Sequence, residues 1–221
     1  MIRPLLDRPV AIRPALLASG AAAVAFVLLT VAVLRHSGPV VRIDTVISAA
    51  ARRTAVHHPL WRAIMAAITV TGGTIVVTVV AAAGSLVLVW RGAWRRACFV
   101  AVALAVTLSL RLLIADTVAR PRPAGPMTAA TGWAFPSGHA AASAAAALIL
   151  VFVGWPSLAP GWKRRVVTGV AGVWAAAVGV SRVALVVHWP SDVLGSWLLV
   201  LAIVPASAVL WRVAFDRASG W

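Results

Sequence analysis

The chain has 221 residues, 62% of them hydrophobic and only 11% charged, with a mean hydropathy of +0.97. Soluble domains carry about 25% charged residues, so this composition excludes an ordinary soluble domain and places the chain in the membrane class. The net charge of +15 does not mark a nucleic-acid partner, because the basic residues sit in short clusters between apolar runs and form no continuous basic face. Cys98 is the only cysteine and excludes an intramolecular disulfide.

Crossing a bilayer takes about 20 mostly apolar helical residues. Six windows meet that requirement in chain order: 15–34, 69–90, 97–115, 138–155, 166–187 and 193–211. They predict an all-α, polytopic membrane protein with six transmembrane helices in one bundle and one domain over residues 1–221. Arg3, Arg8 and Arg13 precede the first window, whose apolar run is longer than a signal-peptide core, so it reads as a retained signal anchor. Between the first two windows, residues 40–65 are too polar to span. Arg42, Asp44, Arg52, Arg53, His57 and His58 interrupt the apolar positions there, which predicts an amphipathic helix at the outer interface. Gly72-Gly73 at the start of the second span predicts close helix packing.

Alternate connections divide the cations into two groups. One side holds Arg3, Arg8, Arg13, Arg91, Arg95, Arg96, Lys163, Arg164, Arg165, Arg212 and Arg217, which is 11 of the 20. The other holds Arg35, Arg42, Arg52, Arg53, Arg62, Arg111, Arg120, Arg122 and Arg182, which is 9. Arg111, Arg120, Arg122 and Arg182 lie beside the polar motifs described next, and without them the balance is 11 to 5. The positive-inside rule then puts both termini in the cytoplasm of a cell-membrane protein, with the motifs on the outer face.

Three polar patches share that face: Arg120-Pro121-Arg122-Pro123, then Pro136-Ser137-Gly138-His139, then Ser181-Arg182 followed by His188 and Asp192. Guanidiniums grip phosphate through paired hydrogen bonds, and a helix start offers free N–H groups to an anion. Two histidines can divide phosphoryl transfer between attack and proton donation. A carboxylate beside the attacking imidazole holds its tautomer and its developing charge. Glutamate is absent, and Asp7, Asp44, Asp116 and Asp216 are scattered, so no clustered carboxylates suggest a two-metal site. Each residue has a structural alternative: Ser137 as a helix cap, Asp192 as a first-turn anion. The ordered set favours chemistry.

At these residues the chain resembles the type 2 phosphatidic acid phosphatase family, whose superfamily includes the vanadium haloperoxidases. The family signature runs K-x6-RP, PSGH, SR-x5-H-x3-D. Residues 136–139 match the second part, and Ser181, Arg182, His188 and Asp192 match the third. The likeness covers about residues 97–211. It implies His188 as the nucleophile, Asp192 as its orienting carboxylate and His139 as the general acid. It implies Arg122, Ser137, Gly138 and Arg182 as phosphate ligands, with no metal and no cofactor.

The first part departs from the signature. No cation stands seven positions before Arg120 or Arg122; the nearest is Arg111, eleven before Arg122. Arg111 is therefore a candidate replacement for the family lysine, displaced by about one helical turn. Either Arg120 or Arg122 can be the motif arginine. Asp116 lies four positions before Arg120 and would pair with it on a continuous helix.

The resemblance implies a membrane lipid phosphate phosphatase. Its substrate would be a polyprenyl pyrophosphate, phosphatidic acid or phosphatidylglycerophosphate, processed through a phosphohistidine. The alternatives are a lipid phosphotransferase with the same site, or a scaffold or transporter that has lost catalysis. No oligomeric state follows from the sequence.

Overall fold

A computed structural model describes residues 12–154 and 161–218, with side chains as far as Phe215. Arg3, Arg8, Trp155 and the side chain of Arg217 lie outside the described residues. The described residues form eight helices: α1 (Ile12–Leu34), α2 (Gly38–His57), α3 (Pro59–Thr71), α4 (Thr74–Trp90), α5 (Trp94–Val118), α6 (Gly138–Gly154), α7 (Trp162–Ala184) and α8 (Pro190–Ala218).

By length and composition α1, α5, α7 and α8 can each cross a membrane, and α3 with α4 makes a fifth span if counted together. The second sequence window is therefore not one straight helix. It breaks at Gly72-Gly73, and the two helices meet with a 41° bend. The break suits the packing, since a Cβ on Gly72 would run into Val178 of α7. The segment 40–65 is likewise two helices rather than one. Pro59 has no N–H to donate and pushes His58 out of helical conformation, so α2 ends there and α3 begins on the proline. α6 has 17 residues and is shorter than a full span.

α6 is the centre of the bundle and packs against α4, α5, α7 and α8. Its first turns are nearly all alanine, and Ala140, Ala141, Ala142, Ser143 and Ala145 are completely buried. Small side chains let neighbouring helix backbones approach closely, which is the packing available where lipid removes the hydrophobic drive between helices. Val77 of α4, Phe99 and Leu104 of α5, and Val200 and Val204 of α8 form one core cluster with Ile149 of α6. α1 lies along α8, with the Ser19 hydroxyl donating to the Leu201 carbonyl at 3.3 Å. At the far end of that contact the Phe26 ring stacks on Phe135, with centroids 5.9 Å apart.

The exterior is apolar. Leu17, Leu28, Ile75, Val80, Leu86, Val170, Val173 and Leu210 are all well exposed, a distribution suited to a hydrocarbon solvent. α2 inverts the usual amphipathic layout. Asp44 and Ser48 face inward, while Val41, Ile43, Val46 and Ile47 face out.

Gly195 of α8 marks a second close approach, because a Cβ there would overlap the buried Phe135 ring. Gly195→Ala should lower the unfolding free energy of the detergent-solubilised protein by about 1–3 kcal/mol through overpacking. Gly20→Ala, where a Cβ meets nothing, should leave stability unchanged or slightly raised. Thermal unfolding of both variants beside wild type checks the contrast.

Candidate functional site

Alternating chain direction brings four helix ends together. α5 and α7 finish, and α6 and α8 start, at one end of the bundle. The loops 119–137 and 185–189 join them there. The two helix starts point their positive dipole ends and free N–H groups into the same region.

His188 stands in the second loop and is 1% exposed. Its Nδ1 lies 2.8 Å from the Ala134 carbonyl and 3.5 Å from Asp192 Oδ2. A carbonyl only accepts, so Nδ1 carries the proton. On the other side Nε2 lies 2.9 Å from Nη1 of Arg122, which only donates. Both neighbours therefore select one tautomer, with the Nε2 lone pair facing the guanidinium. Burial pushes the imidazole down to about 4. The hydrogen bond and charge of Asp192 pull it up, Arg122 and Arg182 push it further down, and burial prevails. His188 is neutral at pH 7.

Asp192, in the first turn of α8, is fully buried. Its Oδ2 accepts the Trp189 N–H at 2.8 Å, closing the helix start, and its Oδ1 accepts from Arg120 at 2.6 Å. Its own carbonyl accepts the Ser137 N–H at 3.2 Å and the Ser196 hydroxyl at 2.8 Å, which ties the starts of α6 and α8 together.

The two arginines of the first motif have separate surroundings. Arg122 is held by backbone carbonyls: Nε donates to Gly132, Nη1 to Val187, and Nη2 to Thr131 and Trp133, at 2.7–3.2 Å. That cage aims the guanidinium at His188. Arg120 turns the other way. Its Nη1 donates to Asp192 and to the Ser191 hydroxyl, and its Nη2 donates to Asp44 at 2.7 Å. Its expected partner Asp116 is exposed instead. Helix α5 stops at Val118, and Ala119 adopts a left-handed conformation, so helical four-residue spacing does not reach Arg120.

The remaining candidates surround the same point. Arg111, on α5, donates from Nε to the Pro136 carbonyl at 2.9 Å, and its guanidinium lies against Gly138. Arg182, in the last turn of α7, is 4% exposed; its Nη1 donates to Thr69 Oγ1 at 2.8 Å, while its Nε has no partner among the described residues. The Ser137 hydroxyl is buried and also without a partner among the described residues. His139, on the first turn of α6, is within electrostatic influence of Arg182, His188, Arg122 and Arg111. Its Nε2 faces Gly73, at 3.7 Å from where a Cβ would stand. Among the described residues no three of His, Cys, Asp or Glu are grouped as metal ligands.

The structure thus gathers Arg111, Arg122, Ser137, Gly138, His139, Arg182, His188 and Asp192 at one end of the bundle. It adds two residues that sequence reasoning passed over. Thr69 supports Arg182, and Asp44 supports Arg120 and Ser191. The only signal for Asp44 in the sequence was its rarity, as one of five carboxylates in the chain.

Residues 96–216 match the PAP2 superfamily. Over 81 residues the chain is 40% identical to phosphatidylglycerophosphatase B of Escherichia coli (strain K12), and to the proteins of that name from Escherichia coli O157:H7 and Shigella flexneri. That stretch covers 36% of this chain but only 30% of the length of those relatives. The fold is similar to the crystal structure of a transmembrane PAP2-type phosphatidylglycerolphosphate phosphatase from Bacillus subtilis. The TM-score is 0.74 at 26% identity, over 91% of this chain and 97% of that one. The matched span holds the whole histidine–arginine cluster apart from what α2 and α3 bring to it, and the chain belongs to the PAP2 superfamily as a multi-pass membrane protein.

Proposed function

We propose that the chain is a lipid phosphate phosphatase working through a phosphohistidine on His188. The observation that carries the reading is the buried imidazole whose free Nε2 faces a guanidinium, with its proton locked on the opposite nitrogen. The phosphate would displace the Arg122–Nε2 contact and sit among Arg111, Arg122 and Arg182, with Ser137 Oγ and Arg182 Nε as further donors.

Nε2 then forms a bond to phosphorus as the bond from phosphorus to the lipid oxygen breaks. His139 gives its proton to that oxygen. Positive charge grows on the imidazole and is met by Asp192 behind Nδ1. In the second step His139 takes a proton from water, the water oxygen bonds to phosphorus, the N–P bond breaks and inorganic phosphate leaves. Guanidiniums supply the positive charge on the phosphate side, which supports a metal-independent reaction.

The lipid class is supported by a groove of about 1020 Å³ between α4, α5, α6 and α7, lined by Val76, Val80, Leu104, Leu150, Val170 and Trp174 among others. Its upper end reaches Val76, which shares Gly73 as a neighbour with His139 Nε2. A hydrocarbon chain there would trail from the oxygen that His139 protonates. The named relatives favour phosphatidylglycerophosphate among the substrates considered; a polyprenyl pyrophosphate or phosphatidic acid fits the same donors. Six crossings, counting α6 despite its length, fit the central place of α6. Arg91, Arg95, Arg96, Lys163, Arg164 and Arg165 flank connections at the end opposite the site, which supports an outward-facing site and cytoplasmic termini.

His188→Ala should abolish phosphate release from phosphatidylglycerophosphate in vesicles, with chelator present throughout. His139→Gln should lower kcat by about 10²–10⁴-fold. Rapid-quench labelling should find acid-labile phosphate on the wild-type protein and none on His188→Ala. Release that survives in His188→Ala would rule out the nucleophile, and phosphate passed to an added alcohol would indicate transfer rather than hydrolysis.

Because burial depresses the His188 pKa, Nε2 keeps its lone pair until pH falls to about 4. The acid limb of kcat/KM, corrected for substrate ionisation, should lie near there. A limb at the unperturbed histidine value of about 6.5 would contradict the buried, donor-capped imidazole.

Val80→Trp should fill the groove. Hydrolysis of long-chain lipid phosphate should fall about tenfold or more while a soluble short-chain phosphomonoester is hydrolysed as before. Equal loss on both substrates would remove the groove from substrate binding.

A further inference from the structure

The proposed mechanism uses one of the two buried carboxylates at the site and leaves Asp44 without a task. Asp44 is 1% exposed on α2, outside the 96–216 family match. Its Oδ1 accepts the Ser191 N–H at 2.9 Å, and its Oδ2 accepts from Arg120 and from the Ser191 hydroxyl. Burying a carboxylate is costly, and packing alone does not require one. We infer that Asp44 is a positioning residue that balances Arg120, so that Asp192 keeps an effective negative charge beside His188.

The reasoning is electrostatic and rests on the phosphoryl-transfer reading of His188. Arg120 bridges two carboxylates, with Nη2 on Asp44 at 2.7 Å and Nη1 on Asp192 at 2.6 Å. Two negative charges and one positive charge leave one net negative charge behind Nδ1. Without Asp44, Arg120 and Asp192 would form a neutral pair. The imidazole, facing Arg122 and Arg182 on its other side, would then lose the counter-charge for phosphohistidine formation. Asp44 also holds the first turn of α8 through Ser191, next to Asp192. α2 has an independent anchor, because Arg52 donates to the Ala124 and Gly125 carbonyls at 3.0 and 3.2 Å. An isosteric change at Asp44 therefore removes charge while this second attachment stays in place.

The test uses purified full-length protein with wild type, Asp44→Asn, Arg120→Gln and the double variant. Asp44→Asn should lower kcat by about tenfold with KM changed less than about twofold. The double variant restores one net negative charge through Asp192 alone, and its kcat should return to within about threefold of wild type. A role in packing alone predicts a double variant at least as impaired as Asp44→Asn. Wild-type kcat in Asp44→Asn, or no recovery in the double variant, overturns the inference while leaving the phosphatase reading intact. If Asp44→Asn does not fold, the comparison moves to the His188 Nδ1–H proton resonance of Arg120→Gln, which leaves two negative charges behind Nδ1; the resonance should shift there and return toward wild type in the double variant, and no shift, or no return, overturns the inference. If wild type releases no phosphate from any lipid, the phosphatase reading has failed. The charge balance is then read from the His188 Nδ1–H proton resonance, which should shift in Asp44→Asn and return in the double variant; an unmoved resonance overturns it.

Discussion

A neutral imidazole can present a lone pair at only one nitrogen, and everything at this site follows from which one. The Ala134 carbonyl lies 2.8 Å from Nδ1 and cannot donate, so the proton stays there and Nε2 keeps its lone pair, directed at Arg122. Ala134 is held in turn by its own N–H to the Arg120 carbonyl. The residue that sets the tautomer is thus attached to the loop carrying both motif arginines. A shift of that loop would move the tautomer lock and the anion-binding group together.

The imidazole separates two regions of opposite charge. On the Nε2 side Arg122, Arg182 and Arg111 converge with few acidic partners, an arrangement that suits a multiply charged anion. On the Nδ1 side Asp192 and Asp44 share Arg120. Buried ion pairs repay desolvation only when their remaining hydrogen-bonding capacity is met, and here Trp189 N–H, Ser191 N–H and the Ser191 hydroxyl meet it. Such a field would favour attack on phosphorus, where the imidazole becomes positive as the phosphate gives up its ester oxygen.

The membrane context shapes the rest. Close helix packing depends on glycine and alanine: Gly72 against Val178, Gly195 against Phe135, and the alanine face of α6 against its neighbours. Between α4 and α7 packing is left open as an apolar groove that ends near His139. In the proposed reaction, a lipid would keep its chain in apolar surroundings while its headgroup meets fixed charges at the helix ends.

Much of this was legible in residue order. Long apolar runs determined that the chain is helical and membrane-embedded, because only closed backbone hydrogen bonding is economical in lipid. The spacing of Ser181, Arg182, His188 and Asp192 keeps the last two within four positions, across the start of α8, so their proximity is a local matter. What lay beyond reach were contacts with no local register. The sequence left Arg120 and Arg122 equivalent; a left-handed residue at 119 and a cage of carbonyls separated them. Arg111 lay outside the expected spacing, yet the α5 register and the proximity of Gly138 bring it to the site. Asp44 stands 76 positions before Arg120, and only the packing of α2 onto the start of α8 made them partners. Periodicity and motif spacing encode what neighbours along a helix share, whereas the pairing of distant charges is decided by how whole helices pack.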